Sequence, residues 1–253
     1  PSSAMYKLSA EQIYCMEYKR DTGTDTIYVP RSGFLKPSLV GDLRLFANCE
    51  QRSSGTQNEF SEYSSERQRV IKPEFFAETG RIPTSRNTMT YLRYAEALNR
   101  AGYPQSAFLI LKHGMCYDNL VVYVDSVERV AAAELVDFDA NIFPKDHTFG
   151  IHSRGSGDSH INEYYTLPMP TDSLATRQDT IDYQIPLVED MIIDEMALEG
   201  AFEGYRYYDL MRVALRRNDA SYLAAPISRR NGEEDAALRA KLEDTSNWYL
   251  PLP

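Results

Sequence analysis

The sequence predicts a mainly α-helical fold, made of helical hairpins joined by long irregular loops, with few short strands. Three observations lead there. Apolar and aromatic residues recur at helical spacing over residues 85–113 and again over 186–218, with breaker residues between and after them. Strand-like runs are short and lie early in the chain, as in DTIYVP at 25–30. Long polar stretches at 52–66 and 139–170 carry no periodicity at all.

In chain order, SAEQIYCMEYKR (9–20) predicts a short helix, with Ser9 as N-cap and Gln12 three residues on, a pairing that satisfies two end amides reciprocally. DTIYVP predicts a strand ended by Pro30, and GDLRLFANCEQ (41–51) a second short helix or the edge of one. RSSGTQNEFSEYSSE (52–66) predicts a loop. TMTYLRYAEALNRAGYPQSAFLILKHG (88–114) predicts two helices split at AGYP, with Gly102 closing the first and Pro104 opening the second. DSVERVAAAELVDF (125–138) predicts a helix, and DANIFPKDHTFGIHSRGSGDSHINEYYTLPMP (139–170) a functional or covering loop. PLVEDMIIDEMALEGAFEG (186–204) predicts a helix that starts at Pro186 and breaks at Gly204. Leu187, Val188, Met191, Ile192, Met196, Leu198, Ala201 and Phe202 form its broad apolar face. YRYYDLMRVALRRN (205–218) continues as a second helix, and GEEDAALRAKLED (232–244) forms the last.

Composition narrows the function. Of 253 residues 43% are hydrophobic and 25% charged, which suits a globular protein with a packed core. A net charge of −10 argues against a surface that tracks phosphates or anionic lipid, so nucleic acid is excluded as a partner. Cys15, Cys49 and Cys116 are odd in number and widely spaced, which excludes a zinc ribbon or a disulfide-dense scaffold. No apolar run approaches the length of a membrane span. Eighteen tyrosines stand against one tryptophan; tyrosine joins an apolar ring to a polar tip, which suits wet ligand surfaces as well as half-buried helix faces.

Catalytic signatures are missing. His147, His152, Asp158 and His160 lie close together but lack the spacing of a zinc site, so no metal is expected. FGIHSRGSGD has glycines but no P-loop lysine, and neither GxSxG nor GxGxxG occurs; no cofactor is expected. Glu195, Glu199 and Glu203 fall four apart, on one face of a continuous helix. Buried together they could make a general acid. With Arg206, Asp209 and Arg212 nearby, they read better as a structural lattice that fixes helix geometry.

Tyr91, Tyr94, Ala95, Leu98, Ala107 and Leu111 match the large/small spacing of a tetratricopeptide repeat, with the small residues where two helices cross closely. Aromatic loops suggest a ligand surface: Tyr164 and Tyr165 with Asn162 and His160, Arg154 and Asp158 in SRGSGD, and Tyr63. Sugars bind by stacking their CH faces on such rings while planar polar groups hold the hydroxyls.

Three stretches resemble the SusD/RagB family of nutrient-binding outer-membrane lipoproteins of Bacteroidetes: YLRYAEALNRAGYPQSAFLILKHG, DEMALEGAFEGYRYYDLMR and the ending NWYLPLP. The middle one is the most specific. Glu195, Glu199, Ala201, Phe202, Glu203, Gly204, Arg206, Tyr208, Asp209, Leu210 and Arg212 stand where the family carries its E-R-x-x-E-L-A-F-E-G and R-W-F-D-L-x-R patterns. Met196, Ala197 and Gly200 depart from it, and Tyr207 stands where tryptophan is common. The resemblance implies a SusD-like fold with a tetratricopeptide-like pair at 85–118 and signature helices at 186–218. It implies that residues 1–253 are the C-terminal portion of a single such domain, its N-terminal part and lipid-anchor cysteine lying before this stretch. It further implies a surface-exposed outer-membrane lipoprotein that captures oligosaccharide, hands it to a SusC-like TonB-dependent transporter and acts as its lid. Such a protein is not an enzyme, and its only link to the membrane is the anchor. Peptide binding within the same family, and a tetratricopeptide-type interaction scaffold, are the alternative readings.

Overall fold

The computed structural model describes residues 19–21, 26–28, 49–51, 68–70, 87–114, 117–136, 166–171, 176–200, 203–229 and 234–249. These are mainly helical, as expected. The chain divides into two compact units, one of Pro83–Glu199 with Gly41–Leu43, the other of Pro1–Val40, Arg44–Ile82 and Gly200–Pro253.

In the first unit, α1 (Asn87–Arg100) and α2 (Pro104–His113) form the expected hairpin. Gly102 adopts φ 91°, and the closure has two bonds: Tyr103 N–H donates to Leu98 O at 3.0 Å and Gly102 N–H to Asn99 O at 3.1 Å. This is a Schellman end, which needs a residue tolerant of the left-handed region, and glycine supplies it. Pro104 then fits the first turn of α2, where its missing N–H costs nothing. Ala95, Leu98, Ala107 and Leu111 of the repeat-like spacing are buried. Tyr91 and Tyr94 are only half-buried, and Met89 and Leu92 complete the inner face instead.

Two short helices follow, α3 (Tyr117–Tyr123) and α4 (Ser126–Ala131), the latter capped by Asp125, whose carboxylate accepts the N–H groups of Val127 and Glu128 at 2.9 Å. The helix expected over 125–138 is thus only its first half; residues 132–136 are turns. The long helix α5 (Arg177–Glu199) departs further from expectation. It begins nine residues before Pro186, which lies in its interior. Its true start is a reciprocal cap. Thr176 N–H donates to the Asp179 carboxylate at 2.9 Å, and Asp179 N–H returns a bond to the Thr176 hydroxyl at 3.2 Å. α5 buries Val188, Ile192, Ile193, Met196 and Ala197, and packs against α1 and α2. Leu187 and Met191, expected in the apolar face, are half-buried.

In the second unit, α6 (Arg206–Arg217), α7 (Ser221–Ser228) and α8 (Ala236–Glu243) lead to a 3-10 turn, Thr245–Trp248. Gly204 breaks the chain before α6 at φ 81°, as its sequence position suggested. Asn218 closes α6 in the left-handed region (φ 51°), with Asp219 N–H bonded to Ala214 O at 2.9 Å, a second Schellman end in which asparagine replaces glycine. Leu210, Val213, Ala214, Leu223, Ala224, Leu242 and Trp248 are its buried apolar residues.

Two antiparallel strand pairs belong to this unit. β1 (Lys19–Asp21) faces β2 (Thr26–Tyr28), Lys19 opposite Tyr28; β3 (Cys49–Gln51) faces β4 (Gln68–Val70), Cys49 opposite Val70. The strand at 25–30 is therefore present, but two of the expected helices are not helical at their ends. Lys19 and Arg20 are strand because Tyr28 and the β-branched Ile27 lie opposite them as a partner edge. Cys49–Gln51 is likewise drawn into pairing by Gln68–Val70. The remainder of those two segments lies outside the described residues.

Candidate functional site

The ligand residues expected from the loops, Tyr63, Arg154, Asp158, Asn162, Tyr164 and Tyr165, lie outside the described residues, as do His147, His152 and His160. The signature charges are described, and they split between the units. Glu195 and Glu199 lie on α5; Glu203, Arg206, Asp209 and Arg212 belong to the other unit. The three glutamates do not share a helix face, because α5 ends at Glu199 and the chain turns at Glu203–Gly204, with Glu203 N–H bonded to Gly200 O at 3.0 Å. None of the six is without an interaction. Asp209, nearly fully buried, receives the Arg212 Nε–H at 3.0 Å one turn on. That pairing lies within one helix.

Buried carboxylates do gather in the first unit. Glu96 and Glu189 lie within the α1–α5 interface, and the Arg100 guanidinium bridges them, its Nε 3.2 Å from Glu189 Oε1 and its Nη2 on Glu96 Oε1. Asn99 Nδ2 adds a bond to Ile185 O at 2.8 Å. One cation shared by two acids from facing helices sets their rotation and register. Across the hairpin turn, at the start of α2, Gln105 and Asp125 exchange two bonds: Gln105 Nε2 donates to Asp125 Oδ2 at 2.6 Å, and Asp125 N–H donates to Gln105 Oε1 at 2.8 Å. Arg177 Nη1 joins the same carboxylate at 2.7 Å. Partial burial pushes the Asp125 carboxyl up, but the bonds from Arg177, the Glu128 amide and Gln105 outweigh it and hold the group at about 2. These arrangements tie helices together.

The second unit carries a different cluster. Tyr207 and Tyr208 meet edge to face with ring centroids 5.8 Å apart. The Tyr207 hydroxyl donates to Trp248 O at 2.8 Å, and the buried Trp248 donates its Nε1–H to Leu242 O at 2.5 Å. Burial raises the Tyr207 hydroxyl above its ordinary value, with Tyr208 and Tyr249 adding to the effect. Tyr208 and Tyr249, flanking this anchored pair, are 59% and 63% exposed. Two large rings held in solvent by a fixed base are a surface suited to stacking a flat apolar face. The loop-based search missed both, because Tyr208 sits inside the signature motif and Tyr249 in the C-terminal one. The available signal was the pairing of those two motifs, each rich in aromatic residues.

Among the described residues no group of three or more His, Cys, Asp or Glu side chains is placed to hold a metal, and no helix is long and apolar enough to cross a membrane. No protein-family model, no curated protein and no solved structure matches the chain.

Proposed function

We propose that the chain is a ligand-capturing protein that binds without turning its ligand over. Within that class, we take it to be a SusD/RagB-type protein. In that role it would sit on the outer-membrane surface, capture oligosaccharide, and deliver it to a SusC-like TonB-dependent transporter for which it is the lid. The observation that carries this reading is the bond from Tyr207 in the signature motif to Trp248 in the C-terminal motif. Two stretches separated by 41 residues, each resembling the same family, meet at this bond. It sets the exposed rings of Tyr208 and Tyr249 beside it. Supporting it, the first stretch makes a helical hairpin, and the buried acids serve packing.

Affinity electrophoresis through gels loaded with neutral polysaccharides tests the binding claim, with oligopeptides offered as competitors. Retardation on at least one polysaccharide is expected, with no shortening of the sugar chain on prolonged incubation. Migration unaffected by every polysaccharide and peptide counts against the reading, and a shortened polysaccharide overturns its non-enzymatic part. Co-purification with a large β-barrel protein tests the transporter partnership.

A further inference from the structure

Glu128 is 1% exposed. From α2 it accepts the N–H groups of Ser106 at 2.7 Å and Gln105 at 3.4 Å. Asp125, the cap of its own helix, repels it. The neighbouring cations are committed elsewhere: Arg177 at the start of α5 is bound to Asp125, Arg129 donates to Val121 O, and Lys112 lies over the Phe108 ring. The carboxylate has therefore lost its water and gained two helix-end amides, but no counter-charge. Here burial, helped by the Asp125 charge, outweighs those bonds and pushes the carboxyl up.

The α3–α4 arm that carries Glu128 is lightly held. Leu120, Val124, Ala132 and Val136 are buried, whereas Val121, Val122, Val127, Val130 and Leu135 are exposed. The polar contacts of Asp125 and Glu128 with the first turn of α2 are thus a large share of what fastens it. We propose that this arm is a proton-responsive element: uptake of one proton by Glu128 removes the cost of burying its charge and so favours the arm seated on the N-terminus of α2, and loss of that proton restores the cost.

The sign is opposite to ordinary acid unfolding. Burial pushes the Glu128 carboxyl above its ordinary value of 4.5. Its ionisation penalty is present at neutral pH, shrinks as pH falls through the raised value, and is gone below 4.5. Asp125 acts the other way. Its contribution is full above 3.8 and is lost only as pH falls through about 2. Between neutrality and 4.5 only the Glu128 effect operates, so the arm should fasten as the solution becomes mildly acidic.

Amide hydrogen exchange on the whole chain, corrected for the intrinsic pH dependence of exchange, reads this out. Protection at Gln105, Ser106 and the 120–136 amides should rise several-fold from neutral pH to 4.5, while the amides of α7 and α8 stay flat. Glu128→Gln should abolish the rise. Asp125→Asn should lower protection throughout the window yet keep the rise. Flat or falling protection in the unaltered chain, or a rise that persists in Glu128→Gln, overturns the proposal. Should the glutamine variant fail to fold, an NMR titration of the Glu128 carboxyl in the unaltered chain decides: a midpoint at or below 4.5 overturns it.

Discussion

The two units place their charges and their aromatic rings differently. In the unit of α1–α5, Glu96, Glu128, Glu189 and Glu195 are all buried. At least three of them serve helix contacts: Glu96 and Glu189 through Arg100, and Glu128 through the first amides of α2. In the unit of α6–α8, Asp209 is the buried acid among the described residues, and it is matched by Arg212. There the large hydrophobic side chains left in water among the described residues are Tyr208, Leu215 and Tyr249. The first unit also exposes two rings, Tyr123 at 46% and Tyr183 at 44%, but those of Tyr208 and Tyr249 are the more exposed, at 59% and 63%. Buried carboxylates can serve helix packing, and a motif that packs on one side can leave a ring exposed on the other.

The comparison can be broken at several points, the largest first. Ile192→Ala removes a fully buried side chain of α5 and should destabilise by about 2–5 kcal/mol in chemical denaturation, the range for large-to-small core changes. Arg100→Met leaves Glu96 and Glu189 buried without their shared cation. Removing one partner of a buried pair costs about 3–5 kcal/mol, reduced here toward about 2 because Arg100 is itself a third exposed and Arg93 remains 3.6 Å from Glu96. A neutral result would remove the structural role assigned to those acids. Tyr207→Phe deletes the hydroxyl that reaches Trp248 O and should cost about 1 kcal/mol, measured as a lowered midpoint. Gly204→Ala meets no atom within 4 Å, so its cost, about 1 kcal/mol, comes from the left-handed backbone alone. Tyr208→Ala and Tyr249→Ala should change stability by less than about 0.5 kcal/mol, as exposed positions do. A large loss at either would make these rings structural and erase the contrast.

How much of this was legible depended on whether the signal was local. The α1–α2 hairpin could be read because Gly102 and Pro104 each satisfy a demand of the adjacent turn. Gly204 could be read for the same reason. The start of α5 could not: Pro186 looked like a first-turn proline, while the real cap, Thr176 with Asp179, lies upstream beside a stretch without periodicity. Helix α3 was hidden by Val121, Val122 and Tyr123, whose β-branched and aromatic side chains disfavour a helix in isolation. Helix α7 was hidden by Pro226 and its short length. The Arg177–Asp125 pair spans 52 residues, and no spacing rule announces it. Of the candidate site, the signature charges Glu195, Glu199, Glu203, Arg206, Asp209 and Arg212 were read as structural, and their division between two units was not visible in their four-residue rhythm. The loop tyrosines expected to bind ligand lie outside the described residues, and the exposed pair Tyr208 and Tyr249 emerged only from burial.

One experiment weighs the contrast most directly: affinity electrophoresis of the unaltered chain and the Tyr208→Ala/Tyr249→Ala double variant through the same neutral polysaccharide, with thermal midpoints recorded for both. The account predicts that the unaltered chain is retarded, that the double variant migrates freely, and that the two midpoints agree. A double variant retarded as strongly as the unaltered chain, or a chain that no polysaccharide retards, would contradict it.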